Sequence, residues 1–542
     1  MPNLDFKGKS AVQYHHLAVP HHQLVPNKKN SLTDRISLND NLIVQGDNLL
    51  ALKALLPTYG GKVKCIYIDP PYNTGNEAWV YNDKVNSPII KDWIDKEVGK
   101  EGEDFTRHDK WLCMMMPRLK ILRELLSDDG VIFVSIDENE VHHLRNLMDE
   151  VFNESNFISQ LGWQKVYSPK NQSTYFSNDY EFVVCYAKNI VSTVINLLPR
   201  SKEMNARFKN PDNDSRGIWK PGDMVANEER KEGRYEIESP TGKKFNVPEG
   251  KHWSYSKHKM LELIKDDRIY FGRDGNSFPS VKQFLSEVKQ GRKASSLLLY
   301  KDFGHTDLSK KEIKEIFYEQ EKIAFDTPKP SLFIKNLIRL AANKDSIILD
   351  SFAGSGTTAQ AVLELNKEDG GNRKFILVEM EDYANDITAE RVRRVIKGVP
   401  TAKKPLIKEG LGGTFSYFEL GDPIELNNLL AGNKLPSWLE MARYVFYTTT
   451  GEEFDDKNSN ANKYFAGKTD SHAIYVLYKT DINWLKDYKF TLKEAQELRT
   501  NSGTSKHITV YAPAKYVDNS SLEELNMSFC QLPYEIYKLN SK

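Results

Sequence analysis

Cys65-Ile-Tyr-Ile-Asp-Pro-Pro-Tyr-Asn-Thr-Gly75 is the stretch that decides the fold of this chain. Four largely apolar residues run directly into an acidic residue and two prolines, which predicts a buried parallel strand that stops abruptly. Neither proline nitrogen can donate a hydrogen bond to a neighbouring strand, so the ladder cannot continue past Ile68. The strand therefore leaves Asp69 and Tyr72 at its carboxyl end, where open α/β sheets bind their ligands.

A rigid Pro-Pro turn that holds a carboxylate beside an aromatic ring suits a flat substrate carrying an amino group. The Asp69 carboxylate and the Pro70 carbonyl can accept its N–H groups, and Tyr72 can stack on its face. Asp69, Pro70, Pro71 and Tyr72 are therefore the candidate catalytic residues. The simpler alternative is a strand followed by a polyproline turn, in which Asp69 only caps the turn.

The composition predicts a soluble, cytoplasmic protein of several domains. A chain of 542 residues is too long for one hydrophobic core. Basic and acidic residues each number 75, so a nucleic-acid-binding surface would require local segregation of charge. No segment has the pattern of a signal peptide or a membrane span. The four cysteines have no paired spacing, as expected of reduced cysteines.

The order of predicted strands and helices divides the chain into five segments. Two of them alternate strands with helices, as the βαβ units of a parallel sheet do. The first segment is predicted to be a polar, solvated arm, in which the pairs His15-His16 and His21-His22 raise the alternative of a metal site. The segments are the N-terminal arm 1–40, the sheet-forming segments 41–165 and 325–400, the intervening block 166–324, and a small α/β domain at 401–542.

The intervening block carries a local excess of positive charge. Residues 201–300 contain 20 lysines and arginines against 15 aspartates and glutamates. Basic and aromatic residues alternate there, with Arg216 near Trp219, Lys251 near Trp253, and Arg268 near Tyr270. Basic side chains can contact phosphates and aromatic rings can stack on bases, which predicts a nucleic-acid surface. An ordinary solvated surface is the alternative, because the excess is modest.

A second candidate ligand-binding turn follows a predicted strand at 346–350. Gly354-Ser-Gly-Thr-Thr-Ala359 matches the G-x-G-x-x-A form of the dinucleotide-binding turn, between a strand and a helix. Glu379, at the end of the next strand, could bind ribose hydroxyls. A nicotinamide dinucleotide is an open alternative. Asp350 and Phe352 argue against it, because a carboxylate at this strand end would repel a pyrophosphate but could help hold a cationic or amino-bearing cofactor.

Together these features resemble the β-class amino-methyltransferases of DNA, which use S-adenosylmethionine. Asp69-Pro-Pro-Tyr72 is similar to the catalytic motif of that family, and Phe352-Ala-Gly-Ser-Gly356 to its cofactor motif. Thr327-Pro-Lys-Pro330 precedes the cofactor motif, as in the family. The longer stretches 67–75 and 350–358 are most similar to the modification (Mod) subunits of type III restriction–modification systems. The resemblance implies an α/β fold with a Rossmann-like sheet in permuted order, the catalytic half first.

The resemblance also implies an activity and a set of site residues. The enzyme would transfer a methyl group from S-adenosylmethionine to N6 of a flipped-out adenine, since an Asp-first motif usually accompanies adenine in this family. Asp69, Pro70, Pro71 and Tyr72 would carry the catalysis, and no metal is required. The implied cofactor-binding residues are Asp350, Phe352, Gly354, Gly356, Glu379, Lys329 and Asp47.

The same resemblance assigns roles to the segments and implies partners. Segment 41–165 would be the catalytic half, 325–400 the cofactor-binding half, 166–324 the target-recognition region, and 401–542 a domain for dimerisation or partner docking. The implied partners are double-stranded DNA, a second copy of the chain, and a restriction subunit with helicase and nuclease activity. Open alternatives are a stand-alone adenine or cytosine-N4 methyltransferase, a subunit that mainly reads DNA for a nuclease, an RNA methyltransferase and a nucleotide oxidoreductase.

Overall fold

The strand Val63–Ile68, which ends at the Asp-Pro-Pro-Tyr stretch, lies near the middle of a ten-stranded sheet in the computed structural model. The structure describes residues 4–74, 104–169, 175–228, 230–320, 325, 327–423, 435–450, 454–503 and 506–532. The chain forms two units, one of Met1–Asn196 with Ser295–Lys542, and one of Leu197–Ala294. The sheet belongs to the first unit.

The sheet is mainly parallel. Its six consecutive strands from Ser416–Pro423 to Leu126–Ile136 pair in parallel. In spatial order the strands are His22–Pro26, Ser416–Pro423, Leu42–Gln45, Lys374–Glu379, Ile347–Asp350, Val63–Ile68, Leu126–Ile136, Tyr180–Ala187, Phe157–Gln164 and Leu297–Leu298.

The two strands that precede the candidate ligand-binding turns are neighbours. Ile347–Asp350 pairs in parallel with Val63–Ile68, so that Leu349 lies opposite Ile66. Lys374–Glu379 lies beyond the first strand, and Leu126–Ile136 lies beyond the second. The chain therefore winds outward in both directions from this pair, which makes the crevice between them the topological switch point where such sheets bind ligands. The predicted α/β fold with a permuted Rossmann-like sheet is confirmed.

Both faces of the central strands are buried, which explains their continuous apolar sequences. Ile66 and Ile68 pack in the core on one face, together with apolar residues of the helices Asn48–Tyr59 and Asp104–Leu125. Tyr67 points to the other face, where its ring meets Phe333 edge-on at 6.1 Å. Among the described residues, the remaining α-helices of this unit are Lys9–Val12, His15–Ala18, Val141–Phe152, Tyr300–Phe303, Thr306–Ile316, Ser331–Ala341, Thr357–Asp369, Glu390–Lys397, Pro405–Glu409, Trp438–Thr450, Ile482–Asp487, Leu492–Ser502 and Asn519–Glu524.

The N-terminal segment is packed against the rest of the unit, so the predicted solvated arm is wrong. His15 and His16 lie in the helix His15–Ala18 and are buried, and burial lowers the pKa of each to about 4. Lys53 Nζ donates to the His16 carbonyl at 2.8 Å. The helices here have only four residues each, too few for a hydrophobic period to show in the sequence.

The sheet also takes up part of the tail. Ser416–Pro423 pairs in parallel with Leu42–Gln45 and antiparallel with His22–Pro26, so a tail domain beginning at 401 would cut off a strand of this sheet. Beyond it lies the predicted small α/β fold, whose four-stranded sheet consists of Phe465–Lys468, His472–Val476, His507–Ala512 and Met527–Gln531, with Phe490–Thr491 and Lys515–Tyr516 paired separately. Among the described residues, no helix is both long and apolar enough to span a membrane.

The unit Leu197–Ala294 lies inside the predicted target-recognition segment. Trp219 and Trp253 are 3% and 1% exposed, so they fill its core and are not available to stack on bases. Arg216 pairs with Asp214, and Arg268 with Glu287. The alternation of basic and aromatic residues here thus reflects core packing and ion pairs. Its elements are the helices Lys202–Ala206 and Lys257–Lys265 and the strands Trp219–Gly222, Val225–Asn227, Ile237–Glu238, Lys244–Phe245, Lys251–Trp253, Ile269–Tyr270 and Ser280–Phe284.

Candidate active site

The Asp-Pro-Pro-Tyr turn is held in place by the helix Asp104–Leu125. Trp111 Nε1 donates to the Pro71 carbonyl at 2.7 Å, and Asn73 Nδ2 donates to the Arg107 carbonyl at 3.3 Å. Asn73 has a φ of 55°, a left-handed conformation that asparagine tolerates better than most residues. The buried Glu140 carboxylate also accepts a hydrogen bond from Asn73 Nδ2. The turn after the strand is therefore fixed by contacts on both sides of Tyr72.

The Asp69 carboxylate belongs to a cluster of charged side chains, in which its own cationic partner is Lys329. Lys329 Nζ donates to Asp69 Oδ1 at 2.9 Å and to Oδ2 at 2.8 Å. The Tyr72 hydroxyl lies 2.9 Å from Asp69 Oδ1 and 3.0 Å from Glu181 Oε2, and can donate its single proton to either. Lys165 Nζ lies 3.2 Å from Glu181 Oε1. Two carboxylates and two ammonium groups thus meet at this strand end.

The cluster is largely buried, and Asp69 is the more exposed of its two carboxylates. The Asp69 side chain keeps 24% of its surface exposed, against 11% for Lys329 and for Glu181. Burial works against the charge of Lys329, yet the carboxylates of Asp69 and Glu181 raise its pKa above the ordinary lysine value. The ammonium is therefore charged at neutral pH. Asp69 is the member of the cluster that an incoming polar group can reach.

The glycine turn after Ile347–Asp350 has the backbone that its sequence predicts. Gly354 and Gly356 have φ values of 51° and 79°, in the left-handed region that favours glycine. A Cβ on Gly354 would lie 2.9 Å from the Phe325 ring, and one on Gly356 would lie 2.9 Å from the Thr388 carbonyl oxygen. The turn therefore needs glycine at both positions, as a backbone cradle for a ligand does.

Two buried carboxyl groups brace this turn. Asp350 accepts from the Phe352 amide at 3.0 Å and from the Thr358 hydroxyl at 2.5 Å. Glu379 accepts from the backbone amides of Gly354, Met380 and Glu381 at 2.7, 3.0 and 3.1 Å. Burial raises the pKa of Asp350 to about 7 and the pKa of Glu379 to about 7. A carboxylate has about four acceptor positions, and Tyr383 also hydrogen-bonds to Glu379, so a ligand hydroxyl would take the place of Tyr383.

Asp47 lies at the end of another strand of the same sheet, one strand beyond Lys374–Glu379. Its side chain caps the helix Asn48–Tyr59 by accepting from the Leu50 amide at 3.0 Å. The buried Arg118 guanidinium lies 3.4 Å from Asp47 and also donates to Asn48 Oδ1 at 2.5 Å. Asn48 Nδ2 donates in turn to the Ser351 carbonyl at 3.3 Å. These contacts tie the Asp47 strand end to the start of the glycine turn.

The structure thus brings Asp69, Tyr72 and Lys329 into direct contact. Lys329, which the sequence grouped with the cofactor-binding residues, donates to the catalytic-motif carboxylate. Glu181 and Lys165 belong to this cluster and are absent from the sequence-based prediction. The signal that could have identified Glu181 is its position: it is an acidic residue near the start of the strand Tyr180–Ala187, whose other residues are apolar or aromatic and mostly buried. Buried charges at a strand end mark candidate functional sites.

Comparisons with known proteins identify relatives of the chain. The family of N6/N4 methyltransferases described as DNA methylases matches residues 63–390. The chain is 33% identical over 427 residues to the StyLTI Mod subunit of a type III restriction-modification enzyme from Salmonella typhimurium, covering 74% of this chain and 63% of that protein. It is 30% identical over 467 residues to the EcoPI Mod subunit of Escherichia phage P1, covering 75% of this chain and 70% of that protein.

The chain thus spans slightly less than two thirds of the first of these relatives. A solved structure, that of a putative DNA modification methylase from Thermus thermophilus complexed with S-adenosyl-L-methionine, is 12% identical, with a TM-score of 0.31. The match covers 70% of this chain and 99% of that one. This likeness is too low to bear on the function.

Proposed function

Because the chain belongs to the DNA methylase family, we propose that it transfers a methyl group from S-adenosylmethionine to the N6 amine of adenine in DNA. The observation that carries the proposal is the adjacency of two sites at one sheet edge. Asp69 and the glycine turn follow neighbouring parallel strands, with Leu349 opposite Ile66. An amine held at Asp69 would therefore lie close to a ligand cradled by Gly354 and Gly356.

The catalytic turn is suited to an exocyclic amine, which is a poor nucleophile because its lone pair is delocalised into the ring. Hydrogen bonds from N6–H to the Asp69 carboxylate and the Pro70 carbonyl would favour a pyramidal nitrogen with a freer lone pair. The protein's task is then positioning and electrostatic stabilisation. The amine is hard to reach inside a duplex, so the base is flipped out, with Tyr72 as its stacking partner.

The glycine turn fits the cofactor, because the left-handed φ values of Gly354 and Gly356 and their lack of a side chain let the backbone approach a ligand closely. Bound S-adenosylmethionine supplies an electrophilic methyl group on its sulfonium sulfur. Phe352 and the glycine backbone would line its site, with Asp350 bracing the turn and Glu379 accepting a ribose hydroxyl. Asp47 would meet the adenine of the cofactor from the neighbouring strand end.

Cofactor affinity should increase about tenfold between pH 6 and pH 8. Burial raises the pKa of Glu379 to about 7, and its ionised form can accept a ribose hydroxyl without donating a proton of its own. The ionised fraction rises from about one tenth to about nine tenths across this interval, so binding strengthens as pH rises. Calorimetric titration of the protein with S-adenosylmethionine at pH 6, 7 and 8 measures this directly.

Glu379→Gln should weaken binding at pH 8 and remove most of the pH dependence. The exposed Asp382 is a matched control, because Asp382→Asn changes a carboxyl group three residues away and should leave the slope unchanged. An affinity that falls with rising pH, or a slope that survives Glu379→Gln, would contradict the role given to Glu379.

Incubation with methyl-labelled S-adenosylmethionine tests the proposed activity. The label should enter mixed-sequence duplex DNA and should not enter RNA of the same base composition. The catalytic motif does not itself distinguish the two nucleic acids, so the comparison is needed. Label found only in RNA would contradict the substrate, and no label in either nucleic acid, despite measured cofactor binding, would contradict the activity.

The partners follow from the related Mod subunits. We place sequence recognition in the unit Leu197–Ala294, inside the target-recognition segment 166–324, and dimerisation or docking of a restriction subunit in the tail domain. The restriction subunit would supply the helicase and nuclease activities, and the complex would act on double-stranded DNA in the cytoplasm. Co-purification with a restriction subunit tests the docking contact. The mass of the purified chain in solution tests dimerisation.

A further inference from the structure

Lys329 lies outside the catalytic motif, yet its ammonium has more oxygen neighbours than it has N–H groups. Its ammonium has three N–H groups, and it lies within 3.4 Å of four oxygens, two of Asp69 and one each of Tyr72 and Glu181. Simple neutralisation of Glu181 does not require Lys329, because Lys165 already pairs with that carboxylate. Lys329 instead donates to both carboxylate oxygens of Asp69, which the proposed substrate amine must also use.

A hydrogen-bond acceptor and a charged donor therefore lie side by side at the end of the strand Val63–Ile68, 2.8 Å apart. The Watson–Crick edge of adenine presents the complementary pair on two nitrogens bonded to the same ring carbon, with the N6 amine as donor and the ring nitrogen N1 as acceptor. Enzymes that flip out a base read it through hydrogen bonds to this edge. Building on the methyltransferase function proposed above, we propose that Lys329 donates to N1 of the flipped adenine while Asp69 accepts from N6.

The contacts of Lys329 show how it can pair with Asp69 in the ligand-free protein and also donate to a bound adenine. When N6–H takes one Asp69 oxygen, one N–H of the ammonium loses its acceptor and turns to N1. The other Asp69 oxygen and Glu181 Oε2, which lies 3.4 Å away, keep the ammonium in place. Glu181 is then a positioning residue, held by Lys165 from the other side. The ligand-free protein avoids an unpaired Asp69 by using the same lysine.

This arrangement also predicts which bases the pocket accepts. Cytosine presents the same pair, with N4 as donor and N3 as acceptor, so the pocket suits both amine-bearing bases that this chemistry serves. Guanine presents the reverse pair, a carbonyl oxygen facing Asp69 and an N1–H group facing Lys329. A site built to pair with one pattern strongly rejects the other, because its buried charges are left unpaired.

Two adenine analogues test the contact from the substrate side, in duplexes carrying the methylation site mapped from the labelled product. 1-Deazaadenine keeps the amine but replaces N1 by C–H, and 7-deazaadenine makes the same change on the other edge. With the wild-type protein, kcat/KM should fall about 10- to 100-fold for the first analogue, as for a lost hydrogen bond to a charged group. It should stay within a few-fold for the second.

Lys329→Met tests the contact from the protein side. The variant should methylate adenine poorly, but its ratio of kcat/KM for adenine over 1-deazaadenine should approach one. Lys165→Met is the matched control, since it removes a cation from the same cluster without touching Asp69, and it should retain the wild-type ratio. Lys329→Arg keeps a charged donor and should retain part of the wild-type preference for adenine over 1-deazaadenine. This variant provides the test if Lys329→Met is unstable.

The outcomes distinguish this inference from the function on which it rests. Equal losses for both analogues with the wild-type protein, or an unchanged ratio in Lys329→Met, would overturn the N1 contact while leaving methyl transfer intact. Binding of the 1-deazaadenine duplex should weaken in parallel with kcat/KM. It is measured by fluorescence anisotropy in the presence of the demethylated cofactor, so that no methyl transfer takes place. Failure to methylate even the unmodified duplex would overturn the proposed function and this contact with it.

Discussion

Replacing Asp69 with alanine is expected to abolish methyl transfer while leaving cofactor affinity within a few-fold of the wild-type value. The carboxylate is the proposed acceptor for the N6 amine, and loss of a group that stabilises the transition state costs about 10²- to 10³-fold or more in kcat. The cofactor turn is braced by Asp350 and Glu379, not by Asp69. Transfer of labelled methyl groups and calorimetric titration with S-adenosylmethionine measure the two effects separately.

Two further variants exclude a folding defect as the cause. Asp69→Asn preserves the shape of the side chain and should lose most of the activity as well. Asp137 follows the neighbouring strand Leu126–Ile136 and is engaged by Asn139, so Asp137→Ala matches the position without the proposed role. Equal loss of methyl transfer and cofactor binding in Asp69→Ala, with a lowered melting temperature, would indicate a structural role.

Exchanging the unit Leu197–Ala294 for that of a relative is expected to transfer sequence specificity completely. The recipient should methylate the site of the donor and lose its own. The two ends of the unit are paired, with the Leu198 amide donating to the Arg292 carbonyl at 2.9 Å and the reverse bond at 2.8 Å. A foreign unit can therefore be joined at two points of the chain that lie side by side, and sequencing of methylated DNA identifies the site that is modified.

The boundaries of the exchange matter. A wider exchange of residues 190–320 would remove Glu312, which accepts hydrogen bonds from the Ser331 amide and hydroxyl at 3.0 and 2.9 Å. Loss of that buried contact would disturb the segment that carries Lys329. Reinsertion of the chain's own unit through the same joints controls for the splicing. Unchanged specificity in a folded, active chimera would assign recognition to another part of the chain.

The central fold could be predicted because its strands are buried on both faces. The apolar runs at 65–68 and 375–378 are each followed directly by an acidic residue, and their order along the chain predicts parallel pairing. The outer strands carry weaker patterns. His22–Pro26 is only partly buried, and Ser416–Pro423 is buried at one end, so neither showed the period of a strand in the sequence.

The candidate site was predicted in its motifs but not in its contacts. Asp69 and Tyr72 were recognised because proline chemistry fixes their position after the strand. Lys329 lies 260 residues from Asp69 along the chain, and Glu181 lies 109 from Tyr72. Such contacts depend on how strands are ordered in the sheet, which local sequence does not encode. The tryptophans of the unit Leu197–Ala294 were wrongly predicted to be available for stacking on bases. Their alternation with basic residues in the sequence does not show whether they are buried or exposed.

Identification of the methylated nucleoside by mass spectrometry tests the central claim most directly. Wild-type protein, S-adenosylmethionine and mixed-sequence duplex DNA should yield N6-methyladenine after digestion, and Asp69→Ala should yield none. N4-methylcytosine in its place would contradict the assignment of the base. No methylated nucleoside at all, in a preparation that binds the cofactor, would contradict the claim that Asp69 and the glycine turn form a methyl-transfer site for DNA.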